Sequence, residues 1–439
     1  MNENYMKKIV ASLLVLLTLQ SSIYSQNAIP IYFSKLGAYV FADIVTKQPI
    51  QPVIEFDKAV YLGFGFWAVD NGSSTLDNRQ AFFNYKGKQL TDFKYSSIYS
   101  MYEKSPILKF EEDKKFGLID SFGKELFAAK YQFIDINPKE GIHKVKMNNN
   151  DGFVNNAGKE IINCKYIKVT DFSDGLALVD ETKEGEEFKS VYFIDKTGKI
   201  ALKPSINNIE NIGNFSEGLA AIDCYWKTNN YGLYGFIDKK GNMVIEPRFT
   251  SIFPTENAFK NGYTQYGSYD YDKVSQKHKS VNGIINKKGE IVIEAKYSYI
   301  NFIGNDMFRV KKDSLYGVIS SSGKIIVPLK YKEVWLYSYD KKQFIVHDNN
   351  QHFIVDSLNN TIKTFKKQYD RLTRVAEGVG IYRVKQGKNE MFINEQEEVI
   401  VEIESHPFRN EITFNTDFII VRQGSRERYY DLTGKEFRE

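Results

Sequence analysis

Few residues in this chain have both the type and the spacing for chemistry. His347, Asp348 and His352 fall around one short turn and come nearest to a metal-ligating set. Two imidazoles and one carboxylate at a turn are fewer donors than a closed metal site uses. His143, His278 and His406 have no such partner nearby in the sequence. No Gly-x-Ser-x-Gly elbow, His-Glu-x-x-His helix or phosphate loop occurs. Cys164 and Cys224 are the only cysteines, and two small buried thiols are expected rather than a disulfide. The sequence therefore calls for no catalytic residue, no metal and no cofactor.

What recurs is an Asp, Asn or Ser three residues ahead of a glycine. The glycine positions are Gly87, Gly123, Gly158, Gly198, Gly241, Gly289, Gly323, Asn359, Glu397 and Gly434, spaced 34 to 48 residues apart. Ahead of them stand Asn84, Asp120, Asn155, Asp195, Asp238, Asn286, Ser320, Asp356, Asn394 and Asp431. A column of acids suggests calcium, but Asn in four units and Ser in one would strip such a site of charge. Turn capping fits all ten, because each side chain can accept from the backbone two positions on. Glycine then takes the left-handed conformation that closes a hairpin with a bulge. Glu397 suits that conformation poorly, so the ninth unit reads as degenerate.

A second column is basic. Lys94, Lys130, Lys165, Arg248, Lys296 and Lys330 each precede an aromatic residue: Tyr95, Tyr131, Tyr166, Phe249, Tyr297 and Tyr331. One reading is a positive line able to follow an anionic polymer or a cell-envelope glycan. The plainer reading is a solvated column whose aromatic neighbours are core, covered by the lysine stems. The insertion at 261–280, with alternating Tyr and Asp, could be a recognition loop or a polar hairpin extension.

The elements that carry these columns are strands. Adjacent apolar pairs such as Leu118-Ile119, Phe236-Ile237 and Val318-Ile319 precede the turn, so that strand is covered on both faces. A short apolar run such as Ile291-Val292-Ile293 follows it, and an alternating strand such as Phe308 to Val310 comes before. Each unit reads as about three antiparallel strands, unable to bury its apolar face without neighbours.

In Phe116-Gly117-Leu118-Ile119-Asp120, Tyr234-Gly235-Phe236-Ile237-Asp238 and Tyr316-Gly317-Val318-Ile319, with the later Lys-Tyr and Phe-Ser-Glu-Gly-Leu-Ala, the chain resembles the WG-repeat family. The resemblance covers roughly residues 60–439; the family's Trp is Phe or Tyr here, and five units keep the following glycine. It implies an all-β repeat domain, largely without known catalytic residues, in bacterial and often exported proteins.

The whole chain agrees. It has 439 residues, 15% aromatic, with 29 Tyr, 32 Phe and only 10 Pro, a composition rich in strand formers. The net charge of +4 is spread without a basic stripe, which argues against nucleic acid. Lys7 and Lys8 precede the apolar run Ile9 to Leu19, too short to span a bilayer. Residues 1–25 thus read as a secretory signal cut before Gln26, the alternative being an uncleaved anchor. Residues 26–60 read as an atypical N-terminal cap and 61–439 as about ten repeats. The expected fold is an elongated, twisted all-β array, or alternatively one or two β-propellers. The expected role is a non-catalytic binding or scaffolding module in the periplasm or outside the cell. Its expected partner is a protein or an anionic envelope glycan. The alternative is an envelope hydrolase with a site built from loops.

Overall fold

The computed structural model describes residues 28–437, apart from 34–37, 44, 64, 72–78, 100–106, 138, 183, 186–189, 207–208, 226–231, 255–257, 273–276, 350, 377–378, 405–409, 415–417 and 424–425. Residues 1–25, expected to be a secretory signal, and His406 lie outside the described residues. The described chain is all-β, with thirty-nine strands in antiparallel sheets of two to four strands. Within each sheet the strands follow chain order, and no sheet closes on itself. No helix among the described residues is long and apolar enough to cross a membrane.

One repeat shows how sequence sets the pattern. Strands Ser251–Phe253, Tyr263–Asp272, Lys277–Asn286 and Ile291–Tyr297 form one meander. The last three are the strands legible in the sequence. The first has three residues, too few for an alternating pattern to show, and raises this sheet from three strands to four, as Ser97–Tyr99 and Phe133–Asp135 do in theirs; elsewhere the added strand runs to six residues, as in Tyr299–Gly304. The insertion at 261–280 lies in the long central hairpin, with Tyr263 opposite Asn286 and Asp272 opposite Lys277. Tyr269, on that extension, is 68% exposed.

The chain divides into two compact units, one of residues 1–160 with 406–439, the other of 161–405. In the first, the hairpin of Ala28–Phe33 and Ala38–Asp43 stands at the N-terminal end of the repeats. Its Ala28, Ile31 and Phe41 share a core with Trp67 and Phe83, and with Phe418, Ile420, Tyr429 and Phe437 near the C-terminus. Trp67 lies parallel to Phe418 with centroids 6.1 Å apart. The first and last sheets of the chain are therefore built around one core. In the second unit, successive sheets share cores in turn. Phe193 and Leu202 pack with Phe215 and Ile222, and Ile245 and Phe249 with Tyr266 and Ile285. Each sheet buries one face against the next repeat.

Candidate functional site

The ten capped turns have one geometry. Every residue in the glycine position has a positive φ, from 64° at Asn359 and Glu397 to 89° at Gly434. Nine Asp or Asn side chains each accept two backbone N–H groups, two and four residues on, at 2.8–3.1 Å. Ser320, with a shorter side chain, accepts the N–H of Lys324 at 3.1 Å. Side-chain bonds from Thr197, Asn242 and Asn360 are the leading cause that holds Asp195, Asp238 and Asp356 below the usual carboxylate range. Asp431 is held low by Thr433 and Lys435, although burial opposes this.

In several units the turn also meets the preceding repeat, whereas a Cβ on Gly323 would meet nothing within 4 Å. A Cβ on Gly123 would come within 2.8 Å of Leu90, on Gly158 within 2.9 Å of the Leu126 carbonyl, and on Gly289 within 2.8 Å of Ile245. Glycine is thus required twice, for its φ and for close approach. Glu397 solves the problem differently. Its carboxylate reaches the preceding repeat and accepts the N–H groups of Lys366 at 2.6 Å and Lys367 at 2.9 Å. Tyr369 donates to the same carboxylate at 3.4 Å, and burial pushes its phenol up to about 12. These bonds explain how a side chain unsuited to positive φ occupies that place.

The basic column stands over buried rings. Lys94, Lys130, Lys165, Arg248, Lys296 and Lys330 are exposed. Each places its charge 4.9–5.7 Å from the centroid of the next aromatic ring. Those six rings are buried, so they belong to the core. Two of the hydroxyls reach the following turn: Tyr95 donates to Glu125 at 2.9 Å and Tyr331 to Asn359 at 2.7 Å. Two of the cations are used in the same way, Lys94 pairing with Glu125 and Arg248 donating to the Gly289 carbonyl. Lys130, Lys165, Lys296 and Lys330 make no hydrogen bond or ion pair among the described residues.

A third row of contacts gave no clear signal in the sequence. Asp174 and Glu217 have left-handed backbones in the "FSDG" and "FSEG" turns. Asp174 accepts the N–H of Gly218 at 2.6 Å, and Glu217 accepts those of Asn261 and, at 2.7 Å, Gly262. Each acid thus binds the same turn one repeat later. Asn261 stands in the acid's place in the next repeat, and a cleft of about 460 Å³ opens there, lined by Asn261, Lys287, Lys288, Asp306 and Ser322.

Of the titratable candidates, His143, His352 and Cys224 are buried, and His347, Asp348 and Cys164 are half-buried. His347 and His352 face each other across a hairpin, their rings parallel with centroids 4.2 Å apart. Parallel stacked rings point their in-plane lone pairs side by side rather than at one ion. Burial pushes His352 down to about 4, with His347 adding to the effect. His143 is fully buried, accepts the Asn137 N–H at 3.1 Å, and is likewise pushed down by burial. Cys164 is half-buried, whereas Cys224 is buried in a core and its thiol is pushed up to about 11.

The WG containing repeat matches residues 116–150, 152–181, 193–223, 234–263, 283–316 and 316–341. The chain belongs to the WG-repeat family. The glycine of the WG pair now has a structural cause. A Cβ on Gly117 would lie 2.8 Å from the Phe127 carbonyl, on Gly235 2.5 Å from that of Ile245, and on Gly317 2.7 Å from that of Val327. The ladder shifts register at each of these glycines, so the WG glycine marks a bulge crossed closely by the next strand.

No curated protein sequence matches the chain. Solved structures resemble it at low identity. A eukaryotic initiation factor is 11% identical with a TM-score of 0.43, covering 75% of this chain and 94% of that one. AztD from Citrobacter koseri is 11% identical with a TM-score of 0.32, covering 76% and 90%. BamB from Moraxella catarrhalis is 9% identical with a TM-score of 0.24, covering 91% and 94%.

Proposed function

We propose that this WG-repeat protein is an exported, non-catalytic binding module at the cell envelope, whose repeated basic positions hold an anionic glycan. The observation that carries the reading is the set of four exposed cations, Lys130, Lys165, Lys296 and Lys330, with no hydrogen bond or ion pair among the described residues. Their recurrence at one place in the repeat suits a polymer with repeating charge. The rings beneath them are core, so contact with the glycan is electrostatic and salt-sensitive. The basic, apolar and small-residue order of the first 25 residues supports export.

Two measurements test this reading. The full chain is expected to be recovered outside the cytoplasm without its first residues; recovery of the uncut chain from the cytoplasm would contradict export. The purified chain is expected to retain polygalacturonate over neutral dextran at low salt. The quadruple change of Lys130, Lys165, Lys296 and Lys330 to Glu should remove that preference. Equal retention by the two proteins would contradict the binding role of these positions.

A further inference from the structure

Arg309 is only 8% exposed, yet its Nε has no hydrogen-bond partner, and no carboxylate among the described residues pairs with it. Aromatic rings surround it instead. Its guanidinium carbon lies 3.9 Å from the Trp335 centroid, 4.4 Å from that of Tyr316 and 5.7 Å from that of Tyr299. More positive charge is close by. Lys311 approaches Tyr316 at 4.9 Å, and Arg371 approaches Trp335 at 6.0 Å. Glu333, two residues before Trp335, accepts a hydrogen bond from Trp335 Nε1 at 3.1 Å. Ring faces offset part of the cost of withdrawing a cation from water, but they satisfy none of its N–H donors. Tyr299 is 39% exposed, so the cluster reaches the surface.

An earlier repeat shows what a self-sufficient version looks like. Lys109 holds the place of Arg309: it faces Leu118 across the ladder as Arg309 faces Val318. It too lies among rings, at 5.1 Å from Tyr99, 4.6 Å from Phe116 and 5.9 Å from Phe133. Burial pushes its ammonium down, while Asp135 and Glu111 act in the opposite direction. Matching the ladders puts Lys311 in the place of Glu111, since these face Tyr316 and Phe116. It puts Trp335 in the place of Asp135, four residues after Tyr331 and Tyr131 respectively. Both compensating acids are thus absent where the cation is most buried.

We propose that Arg309, Lys311 and Arg371, with Tyr299, Tyr316 and Trp335, form a binding site for an oxyanion, a carboxylate or sulfate group whose carrier lies against the exposed tyrosine. The anion supplies the charge that Glu111 and Asp135 supply to Lys109. The rings give the carrier an apolar wall, and the guanidinium edge gives planar, directed donors. The site is separate from the basic positions proposed to bind glycan, so either assignment can fail without the other.

The test is calorimetric titration of the full chain with sodium glucuronate, sodium sulfate and glucose, with Trp335 fluorescence followed in a Trp67→Phe, Trp226→Phe background. Glucuronate or sulfate should bind and change the Trp335 emission, while glucose should do neither. Tighter binding of glucuronate shows that the carrier contributes, and equal binding shows that the oxyanion alone is recognised. Lys311→Glu, which restores the acid of the earlier repeat without removing Arg309, should weaken binding at least tenfold and leave the thermal midpoint unchanged or raised. Lys109→Met should leave binding unchanged. No binding of either anion, equal binding of glucose, or full binding by Lys311→Glu would overturn the proposal.

Discussion

At the scale of single residues, the chain stores an acid sensitivity in His352. The ring is 1% exposed, and neither of its nitrogens has a hydrogen-bond partner among the described residues. Its folded value of about 4 lies below the ordinary 6.5. Between those values the unfolded chain binds the proton and the folded chain does not, so stability falls as pH drops from 6.5 towards 4. The loss should approach roughly 3 kcal/mol for this one group. Urea unfolding of the wild type and of His352→Phe between pH 4 and 7 checks this. The variant should lose most of that slope, and identical slopes would show that other groups set it. The sequence placed His347 and His352 beside one turn, and that much was legible. It could not show that they face each other in register, which is why a metal site could be considered at all. Arg309 was harder still, since the rings around it come from three strands and no local pattern joins them.

At the scale of elements, the capped hairpin was the most legible feature, because its requirements are local. A side-chain acceptor three residues before a positive-φ position is written into each repeat. Glu397 marks the limit of that legibility: the backbone keeps the turn because a carboxylate bonds the neighbouring repeat, a long-range fact. The short strand Phe133–Asp135 escaped for another reason, having three residues and no period to detect. The acid row belongs to this scale too. Glu217 accepts two N–H groups of the next repeat, and Glu217→Ala would leave both without that acceptor. A cost of about 2 kcal/mol is expected, with Glu217→Gln in between. Hydrogen exchange should report it locally, with the amides of Asn261 and Gly262 exchanging faster in Glu217→Ala while those of the strand Ile325–Tyr331 keep their rates. Unchanged exchange at Asn261 and Gly262 would show that these bonds hold nothing.

At the scale of the whole molecule, the repeats lend each other cover, and the two ends of the chain contribute to one core. Trp67 is packed by Phe418 and Tyr429, residues more than three hundred positions away in the chain. Composition and periodicity cannot reveal such a contact, so residues 26–60 read only as a cap. A chain ending at Ser405 would lose the cover of Phe418, Ile420, Tyr429 and Phe437, worth at least about 5 kcal/mol of burial. In a Trp226→Phe, Trp335→Phe background, the emission of Trp67 should then shift to the red; unshifted emission would mean that these residues do not shield it. The central claim is that turns such as that of Gly289 close against the repeat before them, and a double-mutant cycle tests it most directly. All three nearest contacts of a Cβ on Gly289 are side-chain atoms of Ile245 and Arg248 in the preceding repeat. Backbone strain from Gly289→Ala is the same in either background and cancels in the cycle. Gly289→Ala should cost less stability in Ile245→Ala than in the wild type, by about 1 kcal/mol or more, and strictly additive costs would contradict the closure of one repeat upon the next.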